Sequence, residues 1–175
     1  ELQNTWEKYV TEHKDYESVY HDCEAWLEDL QQRLESCNSA GGDKFAVESR
    51  LAKLAELQLL NEEGAGRVKK VVESANVVLP GTSTRGKDII QDELDRLRKK
   101  WDLFLQDVTK SRQELEKAVN RWQQYSDSRD KLVKSLTDLE QNLHLESQLQ
   151  STLPDKQAQL NRVQVSSRIL KMKLY

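Results

Sequence analysis

The side chains able to do chemistry are few and dispersed. There are three histidines, His13, His21 and His144, and two cysteines, Cys23 and Cys37. A zinc site needs three or four converging ligands, and none of the histidines meets another histidine or a cysteine at ligand spacing on a shared face. His21 and Cys23, two residues apart, point to different sides of a helix. Carboxylates such as Glu62, Glu63, Asp127 and Asp130 lie on solvent faces, with no cleft-forming element to make an acid–base pair of them. The run Gly64–Arg67 (GAGR) follows no strand and is not a phosphate loop. The four basic residues Arg96, Arg98, Lys99 and Lys100 precede Trp101. They read as a solvated face beside Asp92, Glu93 and Asp95. Their functional alternative is a docking patch for an acidic partner, too small to read a nucleic-acid sequence. No catalytic, cofactor-binding or metal-binding residue is assigned, and the chain is not expected to be an enzyme.

The elements that would position these groups are long helices. Between Gly86 and Pro154 there is neither glycine nor proline, the two residues that weaken or break helix interiors. Stepping alternately by four and three from Ile90 gives Leu94, Leu97, Trp101, Phe104, Val108, Ser111, Leu115, Ala118, Trp122, Tyr125, Arg129, Leu132, Leu136, Leu139 and Leu143, then the polar Glu146 and Gln150. Such a seam lays one narrow apolar stripe against partner helices. It predicts one helix of about 60 residues, roughly 90 Å long. A second seam, Leu2, Trp6, Tyr9, His13, Tyr16, Tyr20, Cys23, Leu27, Leu30, Leu34 and Cys37, is interrupted only by His13, expected as a partly buried polar group. On one helix Cys23 and Cys37 would stand about 21 Å apart, beyond disulfide reach. They read as buried free thiols of a reducing cytoplasm.

Asn38–Gly42 breaks that helix, with the paired glycines supplying a positive φ, and Asp43 is expected to cap the next one. This helix, about 44–76, carries a main stripe of Val47, Leu51, Leu54, Gln58, Asn61, Ala65, Val68, Val72 and Ala75. Beside it runs a second stripe of Leu57, Leu60, Gly64 and Val71. Gly64 and Gly66 mark a bend or the close approach of another helix. Val77–Gly86 forms the next connection, the long helix starts near Lys87, and a last helix, about 156–175, is expected to be capped by Asp155.

Lys plus Arg number 27 and Asp plus Glu 30, a net charge of −3 that gives no general pull toward nucleic acid or an acidic membrane. No window approaches the apolar length of a membrane span. The amino terminus lacks the apolar core of a signal peptide, and the chain reads as a piece of something longer.

The pattern also repeats. Trp6 and Tyr9 recur as Trp122 and Tyr125, and the polar seam position His13 recurs as Arg129. The window Asp43–Leu51 recurs as Asp155–Val163 with four identities. One copy is helix, loop, helix, loop, helix, and its third helix runs into the first helix of the next copy. This resembles the spectrin repeat. Asp22, Glu24, Trp26 and Leu27 stand as its D-x-E-x-W-L pattern, and Leu94, Leu97, Trp101 and Phe104 as its L-x-x-L-x-x-x-W-x-x-F pattern. The second copy has Asn142 where the pattern expects Trp. Within the family, residues 78–104 look most like repeats of the nesprins.

The resemblance implies an all-α, left-handed three-helix bundle over residues 1–117, with helices about 2–37, 44–76 and 87–117. A partial second repeat follows over 118–175, with helices about 118–151 and 156–175. The expected core includes Trp6, Trp26, Leu27, Leu97, Trp101, Phe104 and Trp122, with Trp26 and Trp101 in one layer. The implied role is a rod segment of a giant cytoskeletal linker, transmitting tension between the nuclear envelope and the actin cytoskeleton. The alternative is a docking module for a cytoskeletal regulator such as a formin, or another actin-linked protein. Candidate docking residues are Arg96, Arg98, Lys99 and Lys100, together with Leu136, Leu139 and Leu143. The incomplete second copy also suggests self-association. Narrow seams and mixed surface charge argue against lipid insertion.

Overall fold

A computed structural model describes residues 2–146 and 152–174, and among them there are helices and no strand. In order these are α1 (Leu2–Cys37), α2 (Lys44–Leu59), α3 (Asn61–Val78), a 3₁₀ turn at Leu79–Gly81, α4 (Thr84–Glu146) and α5 (Leu153–Leu174). The chain divides into two compact units, residues 1–120 and 121–175. α4 is helical at every position, residues 120 and 121 included.

The first unit packs three helical rods: α1, the α2–α3 pair and the first part of α4. On α1 the buried residues are Tyr16, Tyr20, Cys23, Leu27, Leu30, Leu34 and Cys37, the alternating steps of four and three read from the sequence. On α4 they are Ile90, Leu94, Leu97, Trp101, Phe104, Val108, Leu115 and Ala118. Every fully buried residue among those described is apolar, which leaves the hydrophobic effect to set the register.

The middle rod departs from expectation. The buried residues are Val47, Leu54 and Leu57 on α2, then Gly64, Val71, Ala75 and Val78 on α3. The seam therefore steps by three first, through Leu57, Gly64 and Val71, the stripe that was read as secondary. Six of the nine residues of the expected main stripe, Gln58, Ala65 and Val72 among them, lie on its flank. The helix also breaks at Leu60, whose N–H bonds the Leu57 carbonyl at 3.2 Å, so α2 and α3 are two helices where one was expected.

The caps are local and specific. Gly42 takes φ +103°, a conformation open to glycine at little cost. Asp43 accepts the Ala46 N–H at 2.8 Å. Arg50, at a seam position, reaches back to the carbonyl of Ser39 at 2.8 Å and ties down the loop. α4 begins at Thr84 rather than Lys87 because Ser83 caps it, its Oγ accepting the Gly86 N–H at 3.3 Å.

α5 begins ahead of Pro154, not after Asp155. The Thr152 carbonyl accepts the Lys156 N–H at 3.1 Å, and Thr152 Oγ1 donates to the Asp155 carboxylate. Thr152 is thus the cap and Asp155 its third-position partner. Pro154 fits in the first turn, where its missing N–H would have had no partner. The expected helical stretch 147–151 and the terminal Tyr175 lie outside the described residues.

Candidate functional site

Two of the four tryptophans, Trp26 and Trp101, and the motif residues around them meet in the first unit. Trp26 on α1 and Trp101 on α4 lie with ring centroids 5.9 Å apart. Phe104 stacks on Trp101 at 5.5 Å and 23°. Leu27 and Leu97 are buried beside them. On the third side is Gly64, where an added Cβ would stand 2.1 Å from Trp101 Cη2. The indole thus occupies the space a side chain at position 64 would need. Arg67, one turn along α3, sits over the Trp26 ring at 4.9 Å, a cation–π contact.

Glu24, two residues before Trp26, accepts a hydrogen bond from Lys100 at 2.7 Å. That ion pair raises the Lys100 pKa, the hydrogen bond Lys100 donates to Glu24 being its largest cause. The basic cluster is therefore partly engaged within the first unit. Arg96 donates to the Asp92 carbonyl at 3.2 Å, Arg98 lies 3.3 Å from Asp95, and Lys99 is exposed.

Trp6 is not in the core. The α3–α4 connection turns back at the level of Tyr9 and His13, so Trp6, a turn further out, is 70% exposed. Tyr9 covers Gly81, where a Cβ would come within 2.6 Å of its ring. His13 is held at the same connection: Nε2 lies 2.9 Å from Thr82 Oγ1 and Nδ1 lies 2.9 Å from the Tyr9 carbonyl. A polar side chain interrupts the seam there because the seam has reached a loop. Cys23 and Cys37 are both free and buried, and burial pushes the Cys23 thiol pKa up.

Tyr16 donates to Glu93 Oε2 at 2.8 Å. Burial, then that hydrogen bond, raises its pKa well above the usual phenol range. The fold thus favours the neutral phenol. The stabilisation is present below the unfolded pKa of about 10 and is lost as pH rises above it, by up to about 1.4 kcal/mol per pH unit. Chemical denaturation between pH 9 and 11 should therefore show the wild type losing stability faster than Tyr16→Phe. Parallel curves would contradict this.

In the second unit Trp122 is half-buried and packs edge-on against Tyr125 at 5.9 Å. Leu132, Leu136, Leu143 and Leu160 are exposed, at 39%, 40%, 48% and 54%. Leu139, the third docking candidate, and Val163 are half-buried.

Among the described residues no group of three histidine, cysteine or carboxylate side chains could hold a metal. None of their helices is long and apolar enough to cross a membrane. The contacts that sequence reasoning missed are Tyr16–Glu93, Lys100–Glu24 and Arg67–Trp26. Each joins different helices, and no spacing rule within one helix points to them.

No protein-family model matches the chain, and no solved structure matches it significantly. Curated proteins do. Muscle-specific protein 300 kDa of Drosophila melanogaster is 29% identical over 164 residues, covering 93% of this chain and 1% of that protein. Nesprin-3 of Mus musculus is 25% identical over 152 residues, 87% of this chain and 16% of that protein. Nesprin-2 of Homo sapiens is 28% identical over 150 residues, 86% of this chain and 2% of that protein. The chain thus spans only a small part of the length of these relatives, which carry spectrin repeats. In sequence over most of its length, and in its all-α bundle, the chain resembles the spectrin-repeat family and within it the nesprins.

Proposed function

We propose that this chain is a rod segment of a giant linker protein, setting distance and carrying tension between the nuclear envelope and the actin cytoskeleton. The observation that carries this reading is α4. The apolar residues of its seam are buried from Ile90 to Ala118, and the same helix continues through residue 146. Relatives that exceed this chain many times in length fit a repeated structural part better than a self-contained catalyst. Its place would be cytoplasmic, at the outer nuclear membrane. Stretching the chain by its two ends in an optical trap tests the reading. The first unit should unfold and refold reversibly over repeated cycles. Irreversible loss of structure after one stretch would contradict a load-bearing role.

A second reading rests on the exposed leucines of the second unit. Apolar stripes of this kind favour association, so this unit would dock another protein, a cytoskeletal regulator or a second copy of the chain. Leu136→Asp combined with Leu143→Asp should abolish concentration-dependent association in sedimentation while the first unit melts as before. A wild-type chain that sediments as a monomer at every concentration would count against it.

A further inference from the structure

The middle rod of the first unit is broken where its core is thinnest. α2 ends at Leu59 and α3 begins at Asn61, with no proline between Asp43 and Leu79 to force the break. Leu59 is 82% exposed. The next seam positions are Asn61, which is exposed, and Gly64, which contributes no side chain. Gly66 follows, with open space where a Cβ would stand. On the flank, Ala65, Val68 and Val72 leave a groove of about 420 Å³ against Trp101. The first two turns of α3 are thus held chiefly by the flat contact of Gly64 on Trp101 and by Arg67 over Trp26. The free energy of a local opening follows the contacts it loses, and this segment has few to lose. Cys23, 2% exposed, lies on α1 one turn before Trp26, the ring that Arg67 covers.

We infer that the α2–α3 joint is a yield point: residues 61–67 lift off Trp101 in a local opening that leaves the rest of the first unit folded and uncovers Cys23. The inference does not depend on the chain bearing load. In a rod under tension, though, this joint would give way first.

Thiol labelling with Ellman's reagent under native conditions tests it. Labelling in a Cys37→Ala background reads Cys23 alone, against urea concentration and beside global unfolding measured by circular dichroism. Cys23 should react at least tenfold faster than global unfolding allows, at a rate nearly flat in low urea. Gly66→Ala, which strengthens the helix where there is room for a methyl group, should slow the reaction about fivefold. Gly64→Ala should speed it. Hydrogen exchange on the unsubstituted chain gives a second reading. Amides of residues 61–67 should exchange well ahead of those at Leu27 and Leu30. A result in which either probe reports only global unfolding, with its full urea dependence, overturns the proposal.

Discussion

Replacing Trp101 by alanine is expected to destabilise the first unit by about 3–5 kcal/mol, the range for deleting a large aromatic from a packed core. Trp101 is 6% exposed and contacts two other helices, at Trp26 on α1 and Gly64 on α3, as well as Phe104 on its own. The cavity left behind could not be closed from the α3 side, where position 64 has no side chain to move inward. Arg67 would also lose the neighbour against which Trp26 is oriented beneath it. A thermal melt followed by circular dichroism should show the first unit losing on the order of 10 °C or more. Trp122→Ala, on a half-buried residue of the second unit, should leave that transition nearly in place. A Trp101→Ala melt within a degree or two of wild type would remove Trp101 from the centre of the core.

The two glycines of α3 should respond to alanine with opposite signs. Either substitution gains about 1 kcal/mol of helix propensity. At Gly66 nothing lies within 4 Å of the added methyl group, so the gain should appear almost whole. At Gly64 the methyl group would fall 2.1, 2.5 and 2.6 Å from three atoms of the Trp101 ring. That ring packs against both Trp26 and Phe104, which resist its displacement. Overpacking of this kind costs about 1–3 kcal/mol, so Gly64→Ala should be destabilising by up to about 2 kcal/mol after the helix gain is subtracted. Urea denaturation of both variants measures the difference directly. Two stabilising substitutions would show that the indole moves freely, and two destabilising ones that residues around Gly66 are packed after all.

Much of this architecture is legible in the sequence, for a physical reason. α1 and α4 each present one narrow stripe, and a heptad pattern has only one phase that fits. Tyr16 through Cys37 and Ile90 through Val108 could therefore be placed from spacing alone. The middle rod carries two apolar stripes side by side, and spacing cannot choose between them. Leu57, Gly64 and Val71 face the core because Trp101 stands opposite Gly64, a fact of the neighbouring helix and not of this one. Trp6 misled for a related reason. Its seam position is correct, but burial also needs a partner at that height, and the α3–α4 connection turns back one turn short of it. Thr152 is hard to read as a cap because Pro154 stands two residues on, although proline is acceptable within a first turn. The ion pairs and hydrogen bonds that join helices, such as Lys100–Glu24, link residues 76 positions apart, and no local pattern encodes them.

Gly64 and Trp101 come from different helices, yet they fill one volume between them. Bulk added at one can be absorbed only by bulk removed at the other. Evolution is then constrained to change them as a couple: descendants that acquire a larger residue at 64 should survive only alongside a smaller ring or an aliphatic chain at 101. Pairing Gly64→Ala with Trp101→Leu should accordingly cost less than the sum of the two changes made separately.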